Sequence, residues 1–221
     1  MALKKSGDKG ITSLPNGIRM SKTSIYFDLL GDFEELECHI NTSKCLWKEV
    51  LHINIDTHLD YYLKDYRILD EIKSFIKSIT KCIGNPPWHE LKPLKGDTEN
   101  TINTWINSYG INHFKIVDIE TLIERYKLLC IITKTEIITK TEIITKTEII
   151  TPLICAINHC TAITRRCERN YLKFLGSDLL FYGVYEMVDD QFNNIQKLLN
   201  RVSEFFSVLS NFISYCIEIE E

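Results

Sequence analysis

DDQFNNIQKLLNRVSEFFSVLSNFISYC, running from Asp189 to Cys216, carries the clearest periodic pattern of the chain. Phe192, Ile195, Leu198, Leu199, Val202, Phe205, Phe206, Leu209, Phe212, Ile213 and Cys216 recur at steps of three and four, the signature of one face of an α-helix. At about 100° per residue they fill an arc about 160° wide. A helix lying on one surface needs a stripe of only about 100°, so this one is expected to touch two neighbours. Were one of those sides vacant, Phe205 and Phe212 at the arc's edge would be exposed anchors for a partner. Ile195, Leu199, Phe206 and Ile213 would stay in the core.

The rest of the chain repeats the helical period. Tyr26, Leu29, Leu30, Phe33 and Leu36 form one stripe, interrupted by Gly31, and Ser43 can cap a second, short helix carrying Leu46, Trp47, Val50 and Leu51. Asp56 can open a longer one over Thr57 to Ile83, with Gly84 as a C′ residue and Pro86-Pro87 beyond it. The mean spacing of its apolar positions makes that stripe drift, so the helix either wraps a neighbour or breaks near Arg67. Asn85 to Thr98 reads as a loop, Ile102 to Tyr109 as a short helix, and Asp118 as the cap of Ile119 to Leu129. Pro152 suits an N1 position ahead of a helix over Leu153 to Leu175, and Ser177-Asp178 caps a last short run. The sum is a mainly α, single-domain helical bundle of about seven or eight helices.

One excursion departs from this pattern. From Ile131 to Thr151 the chain reads IITKTEIITKTEIITKTEIIT, a hexapeptide tandem repeat. On a helix, six residues turn by about 600°, so successive Ile-Ile pairs never form one stripe. On a strand the period of two divides six evenly, and one face becomes wholly β-branched. The expectation is a β-prone, peripheral insertion over 131–151. Residues 1–23 carry Lys4, Lys5, Lys9, Arg19 and Lys22 against Asp8 alone, and read as a mobile basic arm with a hairpin at Asn16-Gly17. The helical domain then spans 24–221.

With 221 residues, 44% hydrophobic and 25% charged, the chain is ordinary globular material. A net charge of −4 argues against nucleic acid as the main partner. Eight cysteines without an apolar signal core after Met1 are expected as reduced thiols, placing the protein inside the cell, cytoplasmic or nuclear and not secreted. No apolar run reaches the ~18 residues of a membrane-spanning helix.

Local chemical motifs are absent. His89-Glu90-Leu91-Lys92-Pro93 begins like a zinc-protease helix but has Pro93 where the second histidine is required. Cys38, Cys45, His52 and His58 lack a tight knuckle, and Cys155, His159, Cys160 and Cys167 could converge only partly, so neither metal nor cofactor is expected. Arg165, Arg166, Arg169 and Lys173 form a basic ridge on one helix, the candidate anion-binding residues. Trp47, Trp88 and Trp105 read as core anchors, although Trp88 in its Pro-rich loop is also a candidate partner-binding residue with Phe205 and Phe212.

These features favour a non-enzymatic helical protein that binds a protein partner through an apolar surface or groove. A small nucleic-acid- or phosphate-binding protein using the dispersed basic residues is the alternative. The order of helices ending in an apolar one also resembles the Bcl-like helical proteins of poxviruses, which implies a host-modulating groove for a partner helix.

Overall fold

The computed structural model describes residues 10–14, 17, 19–52, 67–85, 104, 108–109, 117–133, 143–176 and 189–218. Among them are two short strands, β1 (Ile11–Ser13) and β2 (Arg19–Ser21), followed by five helices. The helices are α1 (Ile25–His52), α2 (Ile68–Gly84), α3 (Val117–Thr133), α4 (Ile143–Phe174) and α5 (Asp189–Glu218). The chain is mainly helical, as expected; the described residues hold five helices and give no support to a count of seven or eight.

One of the expected boundaries is absent because a helix runs on. Gly31 does not interrupt α1, and Ser43 does not cap a second helix. Its side chain is fully buried beside Cys160 Sγ at 3.5 Å, so the hydroxyl is used between helices and not at an end. The true cap of α1 is Ser24, whose Oγ accepts from the Tyr26 amide at 3.3 Å, while Asp28 in the first turn suits the positive end of the helix dipole. α2 begins just after Arg67, whose carbonyl accepts from the amides of Asp70 and Glu71. Gly84 belongs to α2, and the left-handed cap expected of it is absent; the Asn85 side chain caps instead, donating to the Lys81 carbonyl at 2.9 Å. The helical readings for 57–66 and 177–188, most of that for 102–109, and the loop at 86–98 lie outside the described residues.

The repeat is corrected too. Its first residues close α3 and its last nine open α4, so both described ends of the 131–151 segment are helical and not β. Extending a helix already formed at 119–129 or 153–174 needs no new nucleus, and that advantage outweighs the lack of a single apolar stripe. The mismatch shows in the burial: Ile150 is buried whereas Ile131 is 63% exposed. Pro152 accordingly lies inside α4, on its exposed side, and not at N1. Its ring removes one backbone hydrogen bond, which the packed apolar positions after it must offset. Deleting one hexapeptide, Lys134 to Thr139, is expected to leave the helical circular dichroism nearly intact and to shift the melting midpoint little. Loss of cooperative unfolding would place the segment in the core instead.

The residues group into two compact units, each built from segments of several helices: residues 1–34, 75–114 and 166–197 in one, and 35–74, 115–165 and 198–221 in the other. In the first unit β1 and β2 pair antiparallel, with Ile11 opposite Ser21 and Ser13 opposite Arg19. Gly10 and Gly17 hold φ of +73° and +86°, which only glycine adopts without strain, and the Gly17 amide closes the turn on the Leu14 carbonyl at 2.9 Å. Leu29, Phe33, Phe75, Ile79, Tyr171 and Phe174 are buried in this unit. Tyr26 is buried with them, donates from its hydroxyl to the Ile83 carbonyl at 2.7 Å, and lies 6.0 Å from the Phe174 ring.

In the second unit Trp47 is fully buried, as expected of a core anchor. The wide arc of α5 does meet two neighbours here. Phe205 and Phe212 lie 6.2 and 5.4 Å from the Tyr126 ring of α3, and Ser210 and Ser203 bond to Asn158 and Arg165 of α4. Phe205 and Phe212 are therefore buried to 0% and 1% exposure and offer no face to a partner. Tyr126 fills the side that the sequence left open.

Across the surface of α3 and α5, Lys127 bridges Glu124 and Glu204, and Arg201 bridges Glu120 and Glu204. Hydrogen bonds from Lys127 and Arg201 hold the Glu204 carboxyl below its ordinary value. The sign follows: its folded-state value is depressed, so its contribution is complete at neutral pH and is lost as pH falls through that depressed value. The group is partly exposed, so the loss stays within ~1 kcal/mol.

Candidate functional site

Asp32 is the least expected residue of the first unit. It sits on α1 between Leu29 and Phe33, inside an apolar stripe, and is only 8% exposed. A carboxylate at such a position is stable only if its oxygens are taken. Arg166 Nε donates to Oδ1 and Asn170 Nδ2 to Oδ2, each at 2.7 Å. Arg166 and Asn170 stand one turn apart on α4, so a single acid on α1 fixes two consecutive turns of α4. The charge-assisted bond through Nε also orients the guanidinium plane.

Other cations of the unit lie on α4 and on the hairpin. Lys173 Nζ reaches Asn170 Oδ1 at 3.4 Å, so Asn170 links Asp32 to a third cation-bearing turn. Arg169 is exposed and makes no hydrogen bond or ion pair among the described residues. Arg19 and Lys22, both exposed, come from β2 and the turn after it in the same unit. Glu168 is set aside from the ridge by Gln196, whose amide donates to it at 3.5 Å. Asp32 thus holds Arg166 and Asn170 of α4 from the buried side of the unit, with Arg169 and Lys173 exposed on the same helix.

Arg165 departs from the expected ridge. It belongs to the second unit, where its Nε donates to the buried Ser203 hydroxyl at 3.3 Å. Trp88 lies outside the described residues. The sequence pointed to Arg166, Arg169 and Lys173 as anion-binding candidates; it gave no such pointer to Asp32 and Asn170, which the structure joins to Arg166. The available signal was an acid at a core position of the Leu29, Phe33, Leu36 stripe, which demands a partner from another element.

The cysteines separate by burial. Cys38, Cys45 and Cys155 are exposed, whereas Cys82, Cys160 and Cys167 are buried. Burial pushes the Cys82 thiol up to about 12 and the Cys160 thiol to about 11. Among the described residues no three His, Cys, Asp or Glu side chains gather closely enough to hold a metal. Since only the thiolate reacts, iodoacetamide at pH 8 is expected to label Cys38, Cys45 and Cys155 of the folded chain and to spare Cys82 and Cys160 until it unfolds. Peptide mapping by mass spectrometry reads this directly, and early labelling of Cys160 would contradict the burial.

No described helix is long and apolar enough to cross a membrane. Comparison with curated proteins gives no significant match. Three solved structures of variants of the PduO-type ATP:corrinoid adenosyltransferase from Lactobacillus reuteri share the fold. One, complexed with cobalamin and ATP, is 19% identical with a TM-score of 0.51, covering 98% of this chain and 93% of its own. A second, complexed with ATP, is 18% identical with a TM-score of 0.50 over 98% and 94%. A third, again with cobalamin and ATP, is 20% identical with a TM-score of 0.51 over 100% and 92%. A model of the cobalamin adenosyltransferase family matches residues 2–213.

That match overturns the expected non-enzymatic protein with an apolar partner groove, and with it the nucleic-acid-binding and Bcl-like alternatives. It gives no support to a protein partner, a nuclear location or a role for the tandem repeat. A helical fold can assemble a site from scattered side chains without any local motif, so the sequence carries no local sign of one. Since the match spans nearly the whole sequence, the chain belongs to the cobalamin adenosyltransferase family.

Proposed function

We propose that the protein is an ATP:corrinoid adenosyltransferase, an enzyme that moves the adenosyl group of ATP to the cobalt of a corrinoid substrate. The observation that carries this reading is the family match over residues 2–213, with a fold shared over the full chain. Adenosyl transfer from ATP breaks the bond between the nucleoside 5′ carbon and the triphosphate oxygen. Negative charge then grows on the departing triphosphate, and preorganised cations near it lower the barrier.

Arg166, Arg169 and Lys173, with Arg19 and Lys22 of the hairpin, are the cations we assign to that triphosphate. Arg169 supports the assignment most directly, being exposed with no protein partner among the described residues. Arg166 contributes through a guanidinium whose orientation Asp32 fixes. On this reading the hairpin of the basic arm (residues 1–23) and α4 of the helical body (residues 24–221) contribute these cations from a single unit, and the repeat at 131–151 takes no part. A cytoplasmic place of action fits this chemistry.

The test is direct. Purified chain, ATP and a chemically reduced corrinoid should yield adenosylated corrinoid and free triphosphate, both resolved by liquid chromatography and mass spectrometry. Arg169→Ala should raise the KM for ATP while leaving the melting midpoint unchanged. A folded chain that forms no adenosylated corrinoid would sink the proposal.

A further inference from the structure

We infer that His39 of α1 and His159 of α4 form a two-histidine clamp for a first-row divalent transition cation, independent of the adenosyl-transfer site. The two imidazoles belong to the second unit and stand edge to face, with ring centroids 5.3 Å apart and planes at 80°. Their approach is built by the packing beside them. Ser43, one turn beyond His39, and Cys160, next to His159, are both fully buried and touch at 3.5 Å. Two such small side chains let α1 and α4 come close, and the larger rings flanking them are brought together at the rim.

The geometry suits a shared metal. A cation about 2.1 Å from one nitrogen of each ring, with a near-tetrahedral angle between them, would place the ring centroids roughly 5 Å apart. The terminal torsion of histidine is broad, so a modest rotation from the edge-to-face arrangement turns both lone pairs toward a common point. Neither imidazole makes a hydrogen bond or ion pair among the described residues, which leaves a lone pair on each ring for a ligand. His39 is half-buried and His159 exposed, so the cation would reach the pair from solvent and keep water in its remaining positions. Two neutral nitrogen donors favour Cu2+, Ni2+ and Zn2+ over Mg2+ or Ca2+. Such a clamp ties two helices together at the surface, unlike the closed Cys/His site sought in the sequence.

Isothermal titration of the full chain with Ni2+ alone, in a non-chelating buffer, should show one equivalent bound. The affinity should survive Cys155→Ser and fall about tenfold or more in His39→Asn and in His159→Asn, since each removes half of the chelate. Circular dichroism of the metal-free variants should match that of the parent chain. Electron paramagnetic resonance of the chain loaded with Cu2+ adds a readout that does not depend on variant folding, and two imidazole nitrogens are expected. The clamp is excluded if either single-histidine variant binds as the parent does, if Cys155→Ser alone removes binding, if one nitrogen is seen, or if no Ni2+ binds. None of these outcomes bears on adenosyl transfer.

Discussion

Phe206→Ala is expected to lower the unfolding midpoint sharply or to prevent folding, and Phe212→Ala to do nearly as much. Both rings are buried to 1% exposure or less on α5. Phe205 packs against Phe206 with centroids 5.6 Å apart and against Tyr126 at 6.2 Å, and Phe212 reaches the same Tyr126. Truncating one such ring loses its transfer free energy and leaves a cavity, together ~3–5 kcal/mol. A domain of ordinary stability holds only ~5–15 kcal/mol. The comparison of Phe206 with Phe212 discriminates. Had the α5 arc an open edge, Phe212→Ala would be nearly silent. With Tyr126 covering that edge, the two substitutions should cost similar amounts in urea or thermal unfolding. A Phe212→Ala chain as stable as the parent would mean that the α3–α5 contact does not form in solution.

Asp32→Ala is expected to reduce both stability and ATP use, and the pair of effects separates it from its neighbours. Removing the carboxylate strips Arg166 Nε and Asn170 Nδ2 of their acceptor at once. A charge-assisted hydrogen bond contributes ~1.5–3 kcal/mol, and a partner left unsatisfied away from water costs ~1–3 kcal/mol. Arg166 is 39% exposed on its side chain and can recover part of this from solvent, so a total of ~2 kcal/mol is expected. If Asp32 orients Arg166 toward the triphosphate, the KM for ATP should rise roughly tenfold as the guanidinium loses its fixed plane. Asp32→Asn keeps one acceptor oxygen and should recover part of the stability. Arg169→Ala should raise the same KM with no loss of stability. An Asp32→Ala chain with reduced stability but an unchanged KM for ATP would make the Asp32–Arg166–Asn170 cluster purely structural.

The chain shows which physical signals are local and which are not. The three- and four-residue periods of α5 and of the 119–129 segment are properties of neighbouring residues on one helix, so the mainly helical class, the buried Trp47 and the hairpin turn at Gly17 were readable from the sequence. The basic stripe of Arg166, Arg169 and Lys173 was readable for the same reason. Helix ends were harder. Ser43 looked like a cap because its side chain can accept an amide hydrogen bond, and only the presence of Cys160 across from it shows that the hydroxyl is buried between helices. The hexapeptide looked like a strand because its own period is even. Its described ends follow the helices that flank it, since propagation from an existing helix is cheaper than a fresh start.

The site was the least legible part. Asp32, Arg166 and Asn170 form one cluster although Asp32 is separated from the other two by more than half the chain, and no spacing rule connects them. Neighbouring residues were enough for the helical class and the apolar width of α5, and they pointed to a basic ridge on α4. Only the packing of distant segments settles that Tyr126 closes the open edge of α5, that Arg165 bonds to Ser203, and that a buried acid sets the orientation of Arg166. Each of those depends on which helix faces which. That choice is made by the fit of buried side chains from distant parts of the chain, a quantity no local pattern contains.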